Sequence, residues 1–251
     1  AISLRDLFTF GKLSQSKPSV RLQNAVFLHR ELPVRMAQRI EELKSLPFGL
    51  AQAPPIIKVI GWYSFFVDTL TSMPRLVDSD DERKFTATIE TQLQTPSLVV
   101  TMLSSAVASP STTHSASSQQ LSFMQSVLDR FFTARIGLRF LMEHHIRSAE
   151  PQDDRWSGII QANFEPTEVI RHAAEDAKLL CVDEFGYAPD VLIEMADEED
   201  SPSERRNSRL TGVPSHMHYI CTELLKNAMR ATSTRYQDAA TLPPIRATST
   251  R

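Results

Sequence analysis

The sequence predicts an α plus α/β protein, with an N-terminal antiparallel four-helix bundle over residues 1–150 and an α/β domain over residues 151–251. Two observations carry this reading. Long stretches with apolar residues at helical spacing fill the first 148 residues, and helices of that kind bury their stripes against one another. After Arg147 helix and strand patterns alternate, which is the mark of an α/β unit. A chain of 251 residues can bury a sizeable core in one or two domains.

Leu4, Leu7 and Phe8 begin a short helical piece, followed by a predicted loop through Ser14, Ser16, Lys17 and Pro18 and a helix carrying Leu22, Val26, Phe27 and Leu28. Pro33 reads as the first residue of a new helix, where its missing N–H costs nothing. Met36, Ile40 and Leu43 line up behind it, Glu41, Glu42 and Lys44 take the other side, and Pro47 stops it. From Pro54-Pro55, Ile56, Val59, Ile60, Tyr63 and Leu70 form a broad stripe that Trp62, Phe65 and Phe66 widen, so this helix is expected to be buried on most sides. Ser79 to Leu93 is the next helix, with Phe85, Ile89 and Leu93 at steps of four and Ser79/Glu82 in the form of a capping box. Pro96 interrupts it, and Ser97 to Leu103 resumes. Ser104 to Gln119, rich in Ser, Thr and Ala, reads as a flexible loop. Gln120 to Ile146 is a long helix with Leu121, Met124, Leu128, Phe131, Leu138, Leu141 and Met142 on its stripe.

Beyond Arg147, Gly158-Ile159-Ile160 opens a strand, Pro166 to Leu179 is a helix with Val169, Ile170, Ala173 and Ala177 inward, and Leu179–Val182 and Val191–Ile193 read as strands. The mixed charge run from Glu198 to Arg206 reads as a solvated loop. His218 to Thr232, without Gly or Pro and rich in good helix formers, is the clearest helix of the second half. On it Ile220, Leu224 and Leu225 are expected to face a core, while Glu223, Asn227 and Arg230 project from one face. A carboxylate and a carboxamide one turn apart suit phosphoryl chemistry, the Asn oxygen for Mg²⁺ and the Glu for a proton. The plain alternative is an amphipathic helix with solvated polar groups, because Glu-x-x-x-Asn alone is a weak pattern. The six residues Arg230 to Arg235 recur word for word as Arg246 to Arg251, and two copies do not make a solenoid.

Composition narrows the function classes. A net charge of −3 gives no electrostatic case for nucleic acid or an anionic membrane. The longest apolar run, Ile56 to Val67, is interrupted by Lys58 and falls short of the ~20 residues of a membrane span. Cys181 and Cys221 have no zinc-like spacing and read as buried thiols of a reducing compartment. The start, Ala1-Ile2-Ser3-Leu4-Arg5, shows no signal or transit peptide and is compatible with a trimmed mature end.

Five phrases, in order, resemble the mitochondrial kinases of 2-oxo-acid dehydrogenase complexes, the pyruvate and branched-chain 2-oxo-acid dehydrogenase kinases. They are Arg30-Glu31-Leu32-Pro33-Val34-Arg35-Met36-Ala37, Trp62-Tyr63, Arg135-Ile136-Gly137-Leu138-Arg139, Ala177-Lys178-Leu179-Leu180-Cys181, and Glu223 to Ala231. The resemblance implies a helical regulatory bundle followed by an ATPase α/β sandwich of the kind shared by histidine kinases, gyrase and Hsp90. It makes the Glu223 helix the N-box, with Glu223 as the base that activates a substrate serine, Asn227 as the Mg²⁺ ligand and Lys226 and Arg230 near the nucleotide. The implied nucleotide-binding segment is Glu223, Leu224, Leu225, Lys226, Asn227, Ala228, Met229 and Arg230.

The same resemblance implies ATP and Mg²⁺ as cofactors and the E1 α subunit of a 2-oxo-acid dehydrogenase as substrate. It also implies the lipoyl domain of the E2 core as docking partner, the mitochondrial matrix as location, and a family homodimer whose contacts lie largely outside these residues. His145 matches a family histidine, for which a structural or interface role is expected. Pyruvate-type relatives carry a histidine four residues before the N-box Glu. That position is Tyr219 here, and His218 is turned ~100° away on the helix, which tilts the reading toward the branched-chain type. The family's Asp-x-Gly-x-Gly adenine segment and Gly-rich lid do not occur in the 251 residues, and no glycine follows Gly212. The resemblance therefore implies an incomplete ATPase sandwich with impaired catalysis, and the alternative function is a non-catalytic module that binds lipoyl domains.

Overall fold

The computed structural model describes residues 3–93, 98–107, 117–195, 209–236 and 241–249. The protein is mostly helical with small sheets, and it divides into two compact units, Ala1–Pro151 and Gln152–Arg251.

The first unit holds α1 (Leu4–Ser16), α2 (Pro18–Lys44), α3 (Pro54–Ser72), α4 (Ser79–Leu93), α5 (Leu98–Val107) and α6 (Ser118–Arg147). Capping boxes start two of them, Ser3 with Asp6 on α1 and Ser117 with Gln120 on α6. α2 packs against α3, α4 and α6. One continuous core results, with Leu32 and Leu43 of α2, Ile56 and Phe66 of α3, Phe85 and Ile89 of α4, and Phe131 of α6 nearly inaccessible to solvent.

The loop predicted through Ser14, Ser16 and Pro18 shrinks to Lys17, because α1 runs to Ser16 and Pro18 is already the first residue of α2. Pro33 starts no helix; it lies buried in the middle of the 27-residue α2. An interior proline costs about 3 kcal/mol. Keeping the helix unbroken holds Leu28, Leu32, Met36, Ile40 and Leu43 on one buried stripe, and each such side chain contributes roughly 1.5–3 kcal/mol on burial. α3 is buried on one side only: Ile56, Val59, Tyr63, Phe66 and Leu70 face the core, while Ile57 and Phe65 are exposed. Ser104 to Val107 continues α5 as helix; the rest of the predicted loop up to residue 116 lies outside the described residues, as do Pro96 and Ser97.

The Ser79/Glu82 capping box does not form. Asp78 takes its place, its Oδ1 accepting from the N–H groups of Asp80 and Asp81 at 2.8 and 2.9 Å. Glu82 is thereby released to the inside, where it is buried.

In the second unit β1 (Trp156–Ser157), β2 (Ile160–Phe164) and β4 (Leu210–Gly212) form an antiparallel sheet in the order β1-β2-β4. β3 (Val191–Met195) and β5 (Ile245–Ser249) form a parallel pair in register from Val191↔Ile245 to Met195↔Ser249. Parallel strands need a long crossover, and this one contains α8 (Pro214–Arg235). α7 (Pro166–Phe185) packs along α8. The strand predicted at Leu179–Val182 is part of α7 instead. Cys181 extends the four-step series Ala173, Ala177, all three buried, while Leu179, Leu180 and Val182 are exposed, so the helical period continues where local composition suggested a strand. Gly186 ends α7 at φ +79°, the left-handed conformation that glycine adopts without strain.

The repeated hexapeptide takes two structures. Arg230 to Arg235 is the last part of α8, and Arg246 to Ser249 is strand in β5. The charge run from Glu198 to Arg206 lies outside the described residues. Among the described residues no helix is long and apolar enough to cross a membrane.

Candidate functional site

The candidate site is built on α8. Its register is set by Leu225, Met229 and Ser233, four apart and all buried. They pack with Ala173, Ala177 and Cys181 of α7, also four apart. Two such rows interdigitate, and the small alanines let the helices approach closely. Cys181 Sγ lies 3.7 Å from Ser233 Oγ. Cys181 is a buried thiol as expected; Cys221 is half-buried, and desolvation raises its pKa.

That register decides where the other side chains go. Ile220 and Leu224, expected inside, are 56% and 64% exposed, because the core-facing row passes through Leu225. They share the outer face with Asn227 and Ala231. Leu225 and Met229, within the segment read as nucleotide-binding, are taken up by the core and anchor the helix. Glu223, Lys226 and Ala228 are half-buried; Asn227 and Arg230 are exposed.

Glu223 accepts from Lys226 Nζ at 2.6 Å. Arg230 Nη2 donates to both oxygens of Glu184 on α7, at 2.7 and 2.9 Å. His218 Nε2 lies 3.3 Å from Asp176 Oδ2, also on α7, and Tyr219 is exposed. The one-turn spacing of Glu223 and Asn227 is therefore present, with a cation on the same turn and another three residues beyond Asn227. No bond joins Glu223, Asn227 and Arg230 directly among the described residues.

The donor set suits a metal-bound polyphosphate. Asn227 and Glu223 offer hard oxygen donors, and Lys226 and Arg230 offer charge for phosphate. No group of three or more His, Cys, Asp or Glu able to hold a metal occurs among the described residues. A divalent ion here would need phosphate oxygens to complete its shell, which is how Mg²⁺ is commonly held.

The helical unit contains a polar cluster that the sequence reading missed. Glu82 Oε1 lies 2.8 Å from Arg21 Nη2 and 3.2 Å from His145 Nε2, and accepts from Thr86 Oγ1 at 2.6 Å. Arg21 Nη1 also donates to His145 O at 2.9 Å and to Ser148 Oγ at 3.2 Å. Burial alone would raise the Glu82 carboxyl, but the hydrogen bonds from His145 and Thr86 and the Arg21 charge outweigh it and lower its pKa to about 2. Burial pushes the His145 imidazole below its ordinary range, and Arg21 adds to this against the Glu82 bond. His145 thus has a structural role, as expected. A signal for the cluster was present in the spacing. Glu82 stands three and seven before Phe85 and Ile89, Arg21 four and seven before Ala25 and Leu28, and His145 three and seven after Met142 and Leu138, each in line with a buried stripe.

Three of the family phrases meet at one place. A cavity of about 40 Å³ is lined by Met36, Tyr63, Phe66, Arg135, Leu138 and Arg139, among others. Arg135 Nη1 donates to Tyr63 Oη at 3.0 Å, and Arg139 bonds Leu93 O and Glu143 Oε1 at 3.2 and 3.1 Å.

The class of protein follows from comparison. The profile of the mitochondrial branched-chain alpha-ketoacid dehydrogenase kinase family matches residues 1–161. The chain is 36% identical over 249 residues to a mitochondrial pyruvate dehydrogenase (acetyl-transferring) kinase of Arabidopsis thaliana, covering 98% of this chain and 64% of that protein. It is 29% identical over 250 residues to the mitochondrial enzyme of the same name from Ascaris suum, covering 98% and 61%. With isozyme 1 of Mus musculus it shares 27% over 256 residues, covering 97% and 56%. The chain belongs to the family of mitochondrial 2-oxo-acid dehydrogenase kinases, the pyruvate and branched-chain alpha-ketoacid dehydrogenase kinases. It spans 56% to 64% of the length of these relatives.

Proposed function

We propose that the protein is an ATP-dependent protein-serine/threonine kinase of the mitochondrial matrix that phosphorylates the E1 α subunit of a 2-oxo-acid dehydrogenase complex. One observation carries the reading: Glu223 and Asn227 stand one turn apart on a helix anchored by Leu225 and Met229, with Lys226 and Arg230 beside them. The relatives are named as pyruvate dehydrogenase kinases, which supports the class of reaction. We read α2, α3, α4 and α6 as a regulatory four-helix bundle that docks on the lipoyl domain of the E2 core, and the second unit as part of an ATPase α/β sandwich.

Bound Mg²⁺-ATP would supply the γ-phosphoryl group and the charge neutralisation that phosphoryl transfer requires. Asn227 holds the metal through its side-chain oxygen. Lys226 and Arg230 meet phosphate. Glu223, released from Lys226 when that cation turns to phosphate, accepts the proton of the substrate serine hydroxyl.

Calorimetric titration of the full-length protein with Mg²⁺-ATP tests this. Binding is expected, weakened on the order of tenfold or more in Asn227→Ala, and Glu223→Gln should bind ATP but transfer no phosphate to E1. The 251 residues by themselves, which hold no Asp-x-Gly-x-Gly segment or Gly-rich lid, should bind weakly and transfer little phosphate. Equal affinity in Asn227→Ala would remove the metal role. Lipoyl-domain binding with no ATP binding would favour the non-catalytic module.

A further inference from the structure

Two carboxylates on α7 reach α8 on either side of the Glu223–Asn227 turn. Asp176 pairs with His218 ahead of it, and Glu184 pairs with Arg230 beyond it. Glu184 and Arg230 are 46 residues apart in sequence. Their contact depends on the register that Leu225, Met229 and Ser233 set against α7. Both bonds are made by Arg230 Nη2, whereas Nη1 and Nε make none among the described residues. An arginine held by one edge has already given up much of the rotamer freedom that an unattached one would lose on meeting an anion.

We infer that Glu184 is a positioning residue, which grips Arg230 by Nη2 and presents the other edge of its guanidinium to a phosphate bound beside Asn227. The inference rests on the reading of α8 as the nucleotide helix. Glu184 carries a negative charge of its own, but it is about half exposed, so solvent screens its effect on a phosphate beyond the guanidinium. Orientation of Arg230 is then the larger effect. An exposed pair sets the scale at about three- to fivefold in affinity.

The test is a double-mutant cycle on the full-length protein, read as the dissociation constant for Mg²⁺-ATP. Glu184→Gln should weaken binding about three- to fivefold, and Glu184→Asp should recover most of it. In an Arg230→Ala background, Glu184→Gln should change nothing, because its effect runs through that guanidinium. A merely structural role would persist in that background, so a loss there overturns the inference. Unchanged or tighter binding by Glu184→Gln with Arg230 intact also overturns it. Failure of the wild-type protein to bind Mg²⁺-ATP at all defeats the nucleotide reading of α8 itself, and this inference with it.

Discussion

Glu82 and His145 meet inside the helical unit, Oε1 to Nε2 at 3.2 Å, and Arg21 reaches the same carboxylate oxygen at 2.8 Å. One buried point therefore ties α2, α4 and α6 together. Such a cluster is favourable only while every charge keeps its partner, since removing one leaves an uncompensated charge in a poorly solvated place.

Glu82→Gln should therefore destabilise the helical unit by about 3–5 kcal/mol, because Arg21 stays charged and loses its counter-ion. Trp62 and Trp156 report on the two units separately. Urea unfolding of a Trp156→Phe background, followed by Trp62 fluorescence, should show the lowered midpoint. A midpoint within experimental scatter of the parent would mean that the cluster contributes little.

The same cluster makes the unit acid-labile. Glu82 is lowered from 4.5 to about 2, so its stabilisation is present above pH 4.5 and lost as pH falls towards 2. A shift of that size is worth on the order of 3 kcal/mol. The imidazoles of His145 and of His144, which is buried beside it on α6 with Nε2 3.0 Å from Leu7 O, are lowered from 6.5, chiefly by burial. Below pH 6.5 the unfolded chain takes up protons that the folded rings refuse, which costs further stability. The thermal midpoint should decline from pH 7.5 to 5, less steeply in His145→Gln. A flat profile over that range would contradict the placement of both rings.

Core and outer face of α8 should respond differently to truncation. Leu225→Ala, at a buried position, should cost about 2–4 kcal/mol. Leu224→Ala, at a position 64% exposed, should stay within about 0.5 kcal/mol. Comparable losses at the two sites would mean that the helix is rotated from the register described.

The duplicated hexapeptide offers an internal control. Ala231 lies in helix and Ala247 in strand. Ala231→Val should destabilise by roughly 0.5 kcal/mol, since a β-branched side chain loses rotamer freedom in a helix. Ala247→Val should be neutral or stabilising, since the same branching suits a pleated strand. Chemical denaturation followed by Trp156 fluorescence reads both, and equal losses would argue that β5 is not a strand.

Long-period signals in the sequence were reliable where one face of a helix is buried. The bounds of α4 and the continuity of α6 follow from apolar residues at steps of three and four, which local composition cannot disguise. Short signals misled wherever two local devices compete. Ser79/Glu82 has the form of a capping box, yet Asp78 caps α4 and Glu82 turns inward to meet Arg21 and His145, residues far away along the chain. Pro33 looks like a helix start, yet burial of the stripe on both sides of it outweighs the cost of an interior proline.

By itself the sequence determined the class of the protein, the helix that carries Glu223 and Asn227, and their one-turn spacing, because these depend on residues close together in the chain. Only the tertiary structure decided which face of that helix is buried, that Glu184 holds Arg230, and that one hexapeptide is helix at Arg230–Arg235 and strand at Arg246–Ser249. The reason is physical: the two copies share every intrinsic propensity, so their surroundings distinguish them, the first continuing a helix packed on α7 and the second following Pro243-Pro244 and pairing with β3.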